Sequence, residues 1–117
     1  MTSKFQTSKA FVLIVLATAG LVSSTSALAF DAAAAEAALR QNGCFKCHAI
    51  DKKKDGPSYK DVAAKYKGMA GAEQRLITHI TSGEMAKFPD GHEEEHKIIK
   101  TKDLAEIKNA IQWILSL

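Results

Sequence analysis

Gly43-Cys44-Phe45-Lys46-Cys47-His48 holds the only two cysteines of the chain, two residues apart, with a histidine directly after the second. Each common use of such a pair makes a demand on the rest of the sequence. A disulfide across two intervening residues would close too short a loop to constrain the chain much. A thioredoxin-like pair should sit beside a βαβ pattern, and no such pattern is present. A structural zinc site needs four ligands, often as two Cys/His pairs. His79, His92 and His96 are the remaining histidines, and their spacing is not that of a zinc finger. C-x-x-C-H is the attachment motif for c-type haem. Its spacing has a chemical reason. Cys44 and Cys47 are placed to form thioethers with two vinyl groups on one porphyrin edge. His48 can then swing under the ring as the proximal iron ligand.

Upstream of the motif, Asp31 to Gln41 reads as an alanine-rich helix capped by Asp31, with Asn42-Gly43 as its stop. The first 29 residues differ from everything after them. Lys4 and Lys9 precede an uncharged apolar run from Ala10 to Val22, then small polar residues, then Ala27-Leu28-Ala29. This is the layout of a cleaved secretory signal peptide. The run has 13 residues, against the roughly 20 that a membrane span requires. The expected mature domain is therefore Phe30 to Leu117 in the periplasm, with no membrane span. Removing Lys4 and Lys9 takes Lys plus Arg from 16 to 14 against 13 Asp plus Glu, so the net charge falls from +3 to +1. Nothing in that balance suggests nucleic acid. A domain this short is marginal on its own core, and a buried flat macrocycle would supply the missing apolar surface.

Downstream, Asp51 to Pro57 reads as a charged loop ending in a Gly-Pro turn. Ser58 to Tyr66 is a short helix capped by Ser58, with Val62 and Tyr66 on one face. Ala72 to Ser82 is a helix with Leu76, Ile77 and Ile80 on one face, which turns His79 towards solvent. Glu84 to Lys100 lacks periodicity and reads as a long loop, a place where function often resides. In the last helix, capped by Thr101, Leu104, Ile107, Ile111, Ile114 and Leu115 form an apolar stripe bordered by Trp113. No segment alternates as a strand should. The fold class is all-α: about four helices in one domain.

Gly43 to Asp51, then Gly56-Pro57-Ser58-Tyr59-Lys60-Asp61-Val62-Ala63, then Ala110-Ile111-Gln112-Trp113-Ile114-Leu115 resemble the short class I bacterial c-type cytochromes. The resemblance covers most of the mature chain except Glu84 to Lys100. It implies a class I cytochrome c fold of helices around one covalent haem, with the terminal helices crossing at Gly43 and the Trp113 region. It also implies that the Pro57 carbonyl accepts a hydrogen bond from His48 Nδ1, which fixes the ring and raises its basicity.

The sequence departs from that family at the sixth iron ligand, usually a methionine in a proline-rich turn of the long loop. The mature chain has only Met69 and Met85, and Met85 lies 28 residues before Trp113, too early for the family register. His96 lies 17 residues before Trp113, near the expected place. The expected ligand pair is therefore His48 and His96, with Met85, His92 or an open site as alternatives. Two imidazoles imply a lower potential than imidazole plus thioether. The function so implied is single-electron transfer, without enzymatic chemistry, between redox protein partners that dock near the haem edge. Lys46, Lys52, Lys53 and Lys54 are candidate docking charges, and a monomer is expected. The alternatives are a haem protein that binds or senses small ligands at an open sixth site, and a dedicated cytochrome subunit of a periplasmic oxidoreductase.

Overall fold

A computed structural model describes residues 30–117; the expected signal peptide, residues 1–29, lies outside the described residues. The order of elements is α1 (Ala32–Gln41), a single 3₁₀ turn (Cys44–Lys46), α2 (Tyr59–Tyr66), α3 (Ala72–Ser82), β1 (Met85–Lys87), β2 (Glu93–Glu95) and α4 (Leu104–Leu115). Among the described residues no helix is long and apolar enough to cross a membrane.

Helix α4 organises the domain, because α1, α2 and α3 all pack against it. Its buried residues are Ile107, Ala110, Ile111, Trp113 and Ile114, the spacing that gathers side chains on one helical face. Small residues let α1 approach closely. Ala35 and Ala38 of α1 and Ala110 of α4 are all buried, with Leu39 beside them. The expected crossing at Gly43 is replaced by this alanine contact. The nearest atoms to a side chain built at Gly43 would belong to Lys46 and Lys97. Gly43 instead supplies a left-handed backbone, φ 73°, which only glycine adopts at little cost. The chain leaving α1 turns there directly into the cysteine pair.

Hydrogen bonds fix both ends of α1. Asp31 caps it by accepting from the Ala34 N–H at 3.0 Å. Asn109 of α4 accepts the Asp31 N–H at 2.7 Å and returns its own amide to the Asp31 carbonyl at 2.9 Å. Asn42 accepts the Lys100 N–H at 2.9 Å. Replacing Asn109 with alanine removes both bonds to Asp31, and each such bond contributes about 0.5–1.5 kcal/mol net. The expected loss is about 1–3 kcal/mol, seen as a lower urea midpoint at unchanged m-value.

The segment after α3 differs from the expected loop. It forms a two-stranded antiparallel hairpin, with Met85 opposite Glu95, Ala86 opposite Glu94 and Lys87 opposite Glu93. The turn closes through Phe88 N–H to the His92 carbonyl at 2.9 Å. Helix α4 is also capped later than expected. Thr101 hydrogen-bonds the Asp103 N–H, and Asp103 accepts from Ala105 at 2.9 Å to cap the helix. Leu104 is consequently the first helical residue and stands 53% exposed, outside the stripe.

Candidate functional site

The 3₁₀ turn places the cysteines and the histidine by local hydrogen bonding. The Cys47 and His48 N–H groups both donate to the Cys44 carbonyl, at 3.3 and 3.1 Å. The following loop folds back beneath His48. Gly56 N–H donates to the Cys47 carbonyl at 2.9 Å, and Lys54 Nζ donates to the Phe45 carbonyl at 2.8 Å. This brings the Pro57 carbonyl 2.7 Å from His48 Nδ1. A carbonyl can only accept, so Nδ1 carries the hydrogen and Nε2 presents its lone pair. Tyr59 stacks on the same imidazole, with ring centroids 5.3 Å apart and planes at 20°. Behind it, Tyr59, Phe45 and Trp113 make edge and tilted aromatic contacts, and the Arg40 guanidinium lies over the Phe45 ring at 4.3 Å.

His48 faces a cavity of about 510 Å³, mostly apolar in its lining. Leu39, Val62, Leu76, Ile80 and Ile111 line it together with Cys44 and Cys47, and so do Ala86, Phe88 and His96 from the hairpin segment. The His96 ring lies 6.0 Å from that of His48, with planes at 54°. His96 Nδ1 is buried and has no hydrogen-bond partner among the described residues. Burial, then the nearness of His79 and His48, pushes the His96 pKa down to about 4. Burial also pushes the His48 pKa down, against the opposing effect of the Pro57 carbonyl. Both rings are thus neutral at pH 7, the form in which imidazole ligates a metal. Burial pushes the Cys44 thiol up.

The other candidate ligands lie elsewhere. Met85 is 60% exposed and Met69 51% exposed, and neither lines the cavity. His92 sits in the hairpin turn, stacked on Phe88 with centroids 4.4 Å apart and hydrogen-bonded to Asp90. His79 departs from the expected surface placement. It lines the cavity, its ring 4.0 Å from that of His96, and its Nδ1 bonds Glu84. Arg75 bonds the same Glu84 oxygen at 2.7 Å. Arg75 first, and His79 second, hold the Glu84 carboxyl at about 2, well below the usual carboxylate range. The helical signal for His79 was available. Three residues after Leu76, at 3.6 per turn, it lies only about 60° round the helix from a buried position. No group of three or more His, Cys, Asp or Glu residues forms a metal cage among the described residues, which leaves the cysteine pair without the partners a zinc site needs.

The family model for cytochrome c matches residues 32–117. The chain belongs to the cytochrome c family. Its similarity to cytochrome c-551 of Pseudomonas aeruginosa is 44% identity over 75 residues, 64% of this chain and 69% of that one. With cytochrome c-551 of Stutzerimonas stutzeri it is 32% over 109 residues, 93% and 98% of the two chains. Among solved structures, the class 1 cytochrome MtoD from Sideroxydans lithotrophicus ES-1 is 63% identical, at a TM-score of 0.72 over 75% of this chain and 97% of that one. Cytochrome c552 of Nitrosomonas europaea is 27% identical, at a TM-score of 0.54 over 69% and 96%.

These matches place the cytochrome in the class I monohaem branch, with one covalent haem c, as an electron carrier rather than an enzyme. The residues present fit that cofactor. Both thiols line a mostly apolar cavity, and a side chain at Gly56 would approach the His48 ring to 2.5 Å, so the loop is shaped around that imidazole. Haem c, when bound, supplies an iron that accepts and returns one electron.

Proposed function

We propose that this cytochrome is a periplasmic electron shuttle in which His48 and His96 hold the iron from opposite faces. The proposed mature protein is a monomer beginning near Phe30 and anchored to its haem through Cys44 and Cys47. The observation that carries the ligand assignment is the 6.0 Å separation of the two imidazoles across the cavity. Two imidazoles on one metal have ring centroids about 6–6.5 Å apart, given a metal–nitrogen bond of about 2.0–2.1 Å. The exposure of Met69 and Met85 supports the same reading.

Each residue then has a defined part. Pro57 orients His48 and raises its basicity by taking its Nδ1 hydrogen. Tyr59 stacks on that ring, and Leu39, Ile80 and Ile111 give the cavity an apolar lining that keeps water out. Replacing a thioether by a second imidazole favours the ferric state, so the potential lies below that of methionine-ligated relatives. Partners dock near the haem edge, where Lys46, Lys52 and Lys53 offer positive charge for an acidic surface.

The test is the ferric optical spectrum of the haem-loaded protein, extended to the far-red band that reports sulfur on iron. The expected result is a low-spin spectrum without that band. Its presence would assign a methionine and overturn His96. A high-spin spectrum would mean an open sixth site, and a haem that binds small ligands.

A further inference from the structure

We propose that His79 and Glu84 form a clamp that positions the imidazole of His96. The inference rests on His96 being the distal ligand, and it concerns how that ring is held.

The two imidazoles facing the cavity are secured differently. His48 has a hydrogen-bond partner for its second nitrogen, the Pro57 carbonyl at 2.7 Å. A ligating histidine ordinarily has such a partner, which fixes ring rotation and basicity. His96 Nδ1 is buried and has none among the described residues. Its orientation must therefore come from what packs against it. The aromatic ring nearest to it is His79, with centroids 4.0 Å apart and planes at 40°.

His79 is itself anchored. Its Nδ1 bonds the Glu84 carboxylate, which also accepts from Arg75 at 2.7 Å. Arg75 and His79 are one turn apart on α3, so both reach the same carboxylate. The Glu84 main chain completes the clamp. Its carbonyl accepts the His96 N–H at 3.0 Å. One residue thus holds the backbone of the proposed ligand directly and its ring through His79. Removing either contact leaves His96 attached to the hairpin but free to turn away from the iron. That raises the population of an open sixth site, and an external ligand then binds more tightly in proportion.

The experiment uses the haem-loaded protein and the variants His79→Ala, Glu84→Ala, Glu84→Gln and His96→Ala. Two readouts are taken: the g-values of the ferric protein, which report the mutual orientation of the two axial rings, and the affinity of the ferrous protein for carbon monoxide. His79→Ala and Glu84→Ala are expected to shift the largest g-value. Both should tighten carbon monoxide binding about 10–100-fold, if the hold on His96 weakens by as much as metal sites lose with an orienting partner. Glu84→Gln keeps an oxygen that can accept from His79 and should lie within a few-fold of the parent. Should His79→Ala fail to fold by circular dichroism, the two Glu84 variants carry the comparison, since both keep the backbone carbonyl. Unchanged g-values and unchanged affinity in His79→Ala and Glu84→Ala would overturn the clamp. His96→Ala separates this from failure of the ligand assignment. If it becomes high-spin while the other variants match the parent, only the clamp is wrong. If it keeps the parent's low-spin g-values, His96 is not the ligand and the clamp falls with it.

Discussion

Gly56→Ala is expected to shift the reduction potential upward and to destabilise the loop beneath His48. A methyl group at this position would stand 2.5 Å from His48 Cε1 and 2.9 Å from Nδ1, closer than carbon atoms approach without something moving. The ring cannot give way freely. It is hydrogen-bonded to the Pro57 carbonyl on one side and stacked on Tyr59 on the other. The backbone is equally committed, since the Gly56 N–H and carbonyl are bonded to Cys47 and Lys54. Relieving the clash therefore stretches the bond from His48 to Pro57 or breaks the loop's own bonds, at a cost of about 1–3 kcal/mol for overpacking of this kind. An imidazole with a weaker Nδ1 bond is less basic and favours ferric iron less. Each tenfold loss of that preference raises a one-electron potential by about 59 mV. Pro57→Ala is the control, because it keeps the carbonyl that receives the bond. Its potential should stay near the parent value even if the loop loses some stability. Redox titration of the two variants side by side gives the answer. A Gly56→Ala protein at the parent potential would mean that the loop yields without disturbing the imidazole.

What the sequence made legible was what depends on local chemistry. Asp31 and Ser58 are helix caps because their short oxygen-bearing side chains reach backbone N–H groups three residues on, and both make that bond. The apolar repeat from Ile107 to Ile114 marked the helix on which the core is built. The hairpin left no such trace. Its strands are three residues long, and Glu93–Glu95 is exposed throughout, so no face is buried to impose alternation. Helical spacing put His79 near the apolar face, but its link to Arg75 and Glu84 was hidden for a related reason. Polar residues beside an apolar face read as solvated, and only the return of the chain through Glu84 to His96 gives them an inward role. Gly56 before Pro57 reads as turn punctuation. Its closeness to the His48 ring arises because the loop doubles back on the motif, which spacing alone does not reveal.

Ile111→Ala is expected to show the opposite pattern from Gly56→Ala, a large loss of stability with the ligand set intact. Ile111 is fully buried, at 0% exposure. It packs in the cluster formed by Ala38, Leu76, Ile80, Ile99 and Ile107, and it also lines the cavity facing His48. It therefore joins the wall between helices to the lining of the site. Truncating such a residue costs about 2–5 kcal/mol, because the removed carbons lose their burial and the surrounding helices close the void only partly. For a domain of this size each kcal/mol corresponds to roughly 4–8 °C in Tm, so the midpoint should fall by about 8–40 °C. Neither His48 nor His96 depends on Ile111 for a hydrogen bond. The ferric spectrum at low temperature should therefore keep the spin state of the parent. Thermal melting followed at the haem band and in the far-ultraviolet tests both halves. A midpoint lowered by less than a few degrees would mean that the haem, rather than the α1, α3 and α4 contacts, carries most of the stability. A change of spin state would mean that the core wall and the distal side form one mechanical unit, so that packing at Ile111 reaches His96 through α3.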